Sequence, residues 1–210
     1  YGTKQEKGLG DLMAVDVGGA TTDVYSLTSS QAHPSGVQIK GLIEPLVKRS
    51  VEGDLGLRIS AKHVLDLDLE LQSNKDLSLY VDKVVQEIHG SSNSIYDEKL
   101  AAACVRIASR RHAGRLEQIY TSMGLETIQY GKDLRSVKTL IGIGGPIVYA
   151  VEPSHILNQV KQTEADILLP QTMEFILDKQ YILSCLGLLA KTHPDWTFKT
   201  MKHHLEKIHG

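Results

Sequence analysis

The chain has 210 residues and a formal charge of -2. Neither sign dominates, which speaks against a general nucleic-acid or membrane-surface binder. The length allows one large or two small domains with a proper core. No apolar run is long enough to span a bilayer and no signal-peptide pattern opens the chain. Cys104 and Cys185 form no paired motif, so both are expected to be buried free thiols in a cytoplasmic protein.

Tyr1 to Gly10 reads as a loose, polar lead-in, and residues 11–210 read as the folded body. Leu12–Val17 and Thr22–Leu27 are predicted as antiparallel strands joined by a glycine turn. Ser29–Ser35 is a polar connection, Val37–Glu44 a third strand, and strand character returns at Lys48–Val51. From Leu55 the pattern becomes helical, with Leu57, Ala61, Val64 and Leu65 near one face. Leu77–Ile88 has helical spacing, and a Gly-Ser-Ser-Asn break follows it. Tyr96–Met123 reads as one long helix, with Leu100, Ala103, Cys104, Ile107 and Ala108 on a stripe and Arg106, Arg110, Arg111 and Arg115 opposite. A helical insertion is thus expected around residues 76–130.

Val137–Ile143 is a short apolar strand ending at Gly144-Gly145-Pro146. Ile147–Val151 and Ser154–Gln162 are predicted helices, Asp166–Leu169 a buried strand, and Leu177–Ala190 a helix with a nearly continuous apolar face. Asp195–Ile208 is an amphipathic helix preceded by Pro194, where the ring is tolerated. Strands first, then mostly helices with a later strand, suggest an α/β layer domain.

The chemistry concentrates in three places. In the segment Leu12–Leu27, Asp16 precedes Gly18-Gly19-Ala20, and Thr21, Thr22 and Asp23 follow. Adjacent glycines let a backbone approach a bulky anion and aim successive N–H groups at it. Hydroxyls can donate to phosphate oxygens, and a carboxylate can hold a hydrated metal ion or orient a water. At Leu140–Pro146, a strand ends in Gly144-Gly145 before a helix; such a backbone can lie flat against an adenine or ribose, and the helix amides beyond can face a phosphate. Gly53-Asp54 is first of all a helix N-cap signal.

The Asp16–Asp23 segment resembles the second phosphate-binding hairpin of the actin, heat-shock chaperone ATPase and sugar-kinase superfamily. Asp16, Gly18, Gly19, Thr21 and Asp23 fill its Asp-x-Gly-Gly-x-Thr-x-Asp pattern, with Ala20 where some relatives have a third glycine. At its distance downstream, Gly144-Gly145-Pro146 resembles the adenosine motif of that superfamily, and Gly53-Asp54 resembles a Gly–acid pair lying near the ribose. The resemblance implies a ribonuclease H-like, actin-type subdomain: a mixed sheet, antiparallel strands first and parallel strands later, flanked by helices.

Further segments narrow the resemblance. Ser50–Gly56, Arg110–Gly114, Gly131–Leu134, Ile141–Gly145, and Leu177–Ile182 leading into Leu186–Leu189 occur in an order similar to that of the glutamate-mutase-associated MutL (GlmL) proteins. These are reactivating factors of adenosylcobalamin-dependent mutases. A DNA-mismatch-repair ATPase shares the MutL name, but its nucleotide motifs are absent here. The resemblance implies ATP and Mg2+ as cofactors, with Asp16 acting through a hydrated magnesium ion, and a mutase of glutamate mutase type as partner. No Asp-x-Gly-[Ser/Thr] strand-turn of the superfamily's first half occurs in the sequence. The chain is therefore expected to be the second half of a two-jawed ATPase, its site open on one side and weak alone, with an N-terminal half as its other partner.

Other readings carry less. His203, His204 and His209 lack metal-ligand spacing and read as a solvated tail. The Arg110-Arg111-His112 cluster suits either a charged helix face or a partner contact. Ser184 and Cys185 lack a nucleophile-elbow context, and the run Tyr181–Ala190 reads as core packing. A small-molecule or acyl-phosphate kinase needs a catalytic base that the sequence does not display. A scaffold with a decayed site fits poorly with the intact acids and hydroxyls of the hairpin.

Overall fold

Met13, Val15 and Val17 alternate with Ala14 and Asp16 along the first strand, and this alternation gives the central strand two different faces. The computed structural model describes residues 2–28, 36–87, 94–122, 124–161 and 164–208. Its strands are β1 (Leu12–Val17), β2 (Thr22–Leu27), β3 (Val37–Lys40), β4 (Val47–Glu52), β5 (Arg115–Thr121), β6 (Gly124–Tyr130), β7 (Thr139–Ile143), β8 (Glu174–Leu177) and β9 (Glu206–Ile208). Its helices are α1 (Ala61–Leu67), α2 (Leu69–Gln72), α3 (Lys75–Gln86), α4 (Ser94–His112), α5 (Gly145–Val148), α6 (Pro153–Leu157), α7 (Leu183–Leu189) and α8 (Pro194–His204).

Six strands form the main sheet in the order β4-β2-β1-β7-β8-β9. β2 runs antiparallel to both β4 and β1, whereas β1, β7 and β8 run parallel, as the sequence led us to expect. Met13, Val15, Val17 and Val24 belong to one large core with Leu100, Cys104 and Ala108 of α4, Val81 and Val84 of α3, and Ile156 and Leu157 of α6. On the other face, Ala14, Ile141 and Ile176 pack with Leu183 at the start of α7 and Leu205 after α8. Each buried aliphatic side chain contributes about 1.5–3 kcal/mol relative to exposure, so the first face carries most of the hydrophobic stabilisation.

The long predicted helix ends early. α4 stops at His112, and residues 115–121, expected within that helix, form β5, which pairs with β6 as a hairpin and is joined through β6 to β3 in a second, three-stranded sheet. Gly114 is the reason. A Cβ there would lie 2.6 Å from Tyr130 O and 2.8 Å from Lys132 N, so only glycine lets the two segments cross. Arg115 accordingly sits on a strand, not on the helix face with Arg106.

The basic cluster at the end of α4 divides. Arg110 pairs with Glu164 on the surface, and Arg111 bridges Glu52 and Asp54 at 2.8 Å. His112 is fully buried, with Nε2 2.9 Å from Ser26 Oγ and Nδ1 2.8 Å from Ser50 Oγ. It therefore pins the helix to β2 and β4, and burial holds its pKa down at about 3.

Several boundaries also shift. Asp166–Leu169 is not a strand; Leu168 and Leu169 are buried as irregular chain, with Leu168 N donating to Gly114 O and Leu168 O accepting from Leu134 N. The strand is instead Glu174–Leu177, so the helix expected from Leu177 begins at Leu183. Only Leu186 of α7 is buried, while Leu188 and Leu189 are exposed, so the run Tyr181–Ala190 is not core throughout. The final predicted helix ends at His204 and is followed by β9. Cys104 is buried as expected, but Cys185 is exposed. The Ser29–Ser35 connection and the Gly90–Asn93 break lie outside the described residues. No helix among the described residues is long and apolar enough to cross a membrane.

Candidate functional site

The β1–β2 turn is held from behind by the loop that follows β4. Leu57 N donates to Gly18 O at 3.1 Å, and Arg58 N and Ile59 N donate to Gly19 O at 2.7 and 2.9 Å. Ser60 Oγ donates to Ala20 O at 2.7 Å and to Gly53 O at 3.0 Å. Three successive carbonyls, of Gly18, Gly19 and Ala20, thus face the loop. In a planar trans peptide the next residue's N–H points the opposite way. The N–H groups of Gly19, Ala20 and Thr21 are therefore turned outward, and they donate to no described residue. Such a run of free amides can receive an anion.

The clamp depends on Gly56, where a Cβ would stand 2.4 Å from the Ala20 carbonyl carbon. Neither Gly18 nor Gly19 has a positive φ. The paired glycines of the turn are therefore not there to permit a left-handed conformation.

Asp16 closes β1 beside this turn. Its carboxylate accepts no hydrogen bond from a described residue, and it lines a cavity of about 340 Å³ with Tyr25, Asp178 and Tyr181. Burial, then the neighbouring Asp23 and Asp178 carboxylates, push its carboxyl above the ordinary range. Its neighbours are both engaged. Asp23 receives Arg49 Nε at 3.1 Å and Nη2 at 2.9 Å. Asp178, almost wholly buried, accepts Ile182 N and Leu183 N at 3.1 Å.

Among the described residues no group of three or more His, Cys, Asp or Glu side chains could enclose a bare metal ion. The donor set fits a hydrated Mg2+ that takes its remaining oxygens from phosphate and water, since Mg2+ keeps waters and is commonly bound through one or two carboxylates.

The second glycine motif meets the first directly. β7 runs parallel beside β1 with Ile143 opposite Asp16, which delivers Gly144 to the Asp16 carboxylate. Gly144 has φ +91°, and a Cβ there would lie 2.3 Å from Val17 O and 2.8 Å from Asp16 Oδ1. Gly145, by contrast, is bare: a Cβ would meet only Tyr181 Oη at 3.6 Å and Tyr149 Cδ2 at 4.0 Å. Gly145 and Pro146 open α5 and line a second cavity, of about 370 Å³, with Arg58, Asp97, Glu98 and Tyr149. Arg58 forms a two-pronged pair with Asp97 at 2.8 and 3.0 Å, and Tyr80 Oη also donates to Asp97.

Of the residues singled out in the sequence, Asp16, Gly18, Gly19, Ala20, Thr21, Gly144, Gly145 and Pro146 thus share one region. Thr22 does not offer its hydroxyl to it: the residue is fully buried and Oγ1 donates to Leu55 O at 2.9 Å. Asp23 is neutralised by Arg49. Gly53 serves the clamp through its carbonyl. Asp54 is no N-cap, because α1 begins at Ala61 after Ser60; its carboxylate instead binds Arg111, which lowers its pKa. Sequence reasoning missed Arg58, Ser60, Asp97, Tyr149 and Tyr181. Only long-range contacts reveal them, and no local pattern marks any of the five.

A sheet whose antiparallel hairpin presents free amides beside an unpaired carboxylate, abutted by a glycine-rich strand end, defines a mixed α/β domain with a candidate anion site. Comparison with known proteins makes this specific. The family model of the MutL protein matches residues 2–205. Protein MutL of Clostridium tetanomorphum is 40% identical over 222 aligned positions, covering 99% of this chain and 48% of the relative. The chain belongs to the MutL protein family. It spans about half the length of the curated relative it matches.

Proposed function

We propose that this chain is the nucleotide-binding second half of a cytoplasmic, ATP-dependent reactivating factor for an adenosylcobalamin-dependent mutase of glutamate mutase type. The observation that carries the nucleotide reading is the outward row of amides at Gly19, Ala20 and Thr21 beside the unpaired Asp16. These amides bind the terminal phosphates. Asp16 holds a hydrated Mg2+ through water, and that ion supplies charge neutralisation for the phosphates. Gly144-Gly145 form the adenosine side, a reading supported by the abutment of Gly144 on Asp16.

The mutase partner and the facing jaw rest on the MutL family membership and on the relative's greater length. ATP held between two jaws changes the angle between them, and this motion releases damaged cobalamin from the client.

Calorimetry of the intact protein with Mg-ATP tests the site. Wild-type protein binds, and Asp16→Asn loses roughly tenfold or more of its affinity for Mg-ATP, the scale of one charge-assisted contact, while keeping its fold. Unchanged Mg-ATP binding by Asp16→Asn would sink the assignment.

A further inference from the structure

Tyr181 is the one non-glycine among the described residues with a positive φ, +54°. For a bulky side chain this backbone conformation is strained, and it persists only where the surroundings impose it. Here they do. Asp178 N donates to Gly142 O at 3.1 Å and Tyr181 N donates to Asp178 O at 3.3 Å, while the buried Asp178 carboxylate takes the next two amides. The turn is fastened to the end of β7 so that the Tyr181 hydroxyl comes to Gly145, 3.6 Å from where a Cβ would stand.

A second aromatic ring meets it there. Tyr149, 76% exposed at the end of α5, lies 6.2 Å from Tyr181 between ring centroids, with the planes inclined by 36°. Tyr181 lines the cavity that contains Asp16, and Tyr149 lines the cavity beside Gly145. The ring pair therefore stands where the two cavities adjoin. The charged groups that line the cavity beside Gly145 are already engaged: Arg58 with Asp97, and Glu98 with Val151 N at 2.7 Å. What the protein leaves unspent at this point is aromatic surface.

We propose that Tyr149 and Tyr181 form an aromatic wall that takes the flat face of a nucleobase, with Gly145 left bare so that the ring can reach it. This rests on the nucleotide reading of the hairpin and adds the element that recognises the base. Recognition is by stacking, so the wall acts on the base and not on the phosphates.

The test compares Mg-ATP with Mg-tripolyphosphate, which has the phosphates and no base, by calorimetry on the intact protein. Tyr149→Ala and Tyr181→Gly each weaken ATP binding by roughly 5- to 150-fold and leave tripolyphosphate binding unchanged. Tyr149→Phe and Tyr181→Phe retain wild-type ATP affinity. Glycine adopts the backbone conformation of Tyr181 without strain, and the exposed Tyr149 supplies an independent variant that leaves the core intact.

Wild-type ATP affinity in Tyr149→Ala and Tyr181→Gly overturns the wall. So does equal binding of ATP and tripolyphosphate by the wild type, which leaves the phosphate reading standing. Binding of neither ligand by the wild type overturns both.

Discussion

Gly144 lies so tightly against Asp16 that a methyl group on it would stand 2.8 Å from the Asp16 Oδ1 atom. Two glycine motifs more than a hundred residues apart in sequence are thus brought together where β1 and β7 pair.

That contact predicts a sharp asymmetry between neighbouring glycines. Gly144→Ala combines a φ of +91° with overlap on Val17 O, and costs at least about 2 kcal/mol of stability. Gly145→Ala meets only ordinary contacts and stays within about 0.5 kcal/mol. Urea unfolding of the two variants checks this, and equal losses would refute the close approach.

The clamp behind the hairpin makes its own prediction. Ser60→Ala removes the hydroxyl shared by Ala20 O and Gly53 O, leaving partly buried carbonyls without that donor at a cost of about 1–2 kcal/mol. Amide hydrogen exchange across residues 53–60 should accelerate along with the stability loss; unchanged protection there would mean that the loop is held by something else.

Asp16 carries a stability penalty whose sign can be worked out. Its folded pKa is raised, so folding is penalised as pH climbs from the ordinary carboxyl range through the folded pKa, and the penalty is absent below that range. Asp16→Asn should therefore raise the thermal midpoint at pH 7 and show little gain at pH 3. A lower midpoint at neutral pH contradicts the reading of Asp16 as an unpaired carboxylate.

His112 has the opposite logic. It is held neutral in the fold, with a pKa of about 3 against 6.5 ordinarily, so the unfolded chain binds the extra proton in between. Stability contributed by His112 is intact above pH 6.5 and falls by up to about 1.4 kcal/mol per pH unit below it. In His112→Gln the stability profile between pH 6 and pH 4 should flatten relative to wild type. Parallel profiles would show that the imidazole is not buried.

The two cysteines should separate cleanly. Burial pushes the Cys104 thiol up to about 12, whereas Cys185 is exposed. A thiol reagent such as Ellman's should label Cys185 alone in the native protein and both residues in urea; fast native labelling of Cys104 would contradict the core as described.

The hairpin was legible because its signals are local: alternation in Leu12–Val17 gives a two-faced strand, and Gly18-Gly19 gives the turn. The main sheet's mixed directions came from the family resemblance, since no local signal pairs β1 in parallel with β7. The helix boundary at His112 was not. The stripe of Leu100, Ala103, Cys104, Ile107 and Ala108 carries no local mark of where it stops, and what ends it is a crossing of Gly114 on Tyr130, a contact between distant segments. The strand at Glu174–Leu177 was missed, and the helix read from Leu177 begins at Leu183, because a short apolar run fits either period. Leu168 and Leu169 misled in the other direction, being buried without joining the sheet.

Within the candidate site, glycines and Asp16 could be read directly, but the fates of Thr22, Asp23 and Asp54 could not. Each is decided by a partner more than twenty residues away: Leu55, Arg49 and Arg111.

The clamp also determines which positions can vary. The turn offers its peptide groups, not its side chains, so position 20 accommodates an alanine. Gly56 has no such latitude, because a Cβ there would stand 2.4 Å from the Ala20 carbonyl carbon. The residue under the strictest constraint at this turn is therefore one that never faces the opening it maintains, and substitutions there should be felt as lost recognition by a position that touches no ligand.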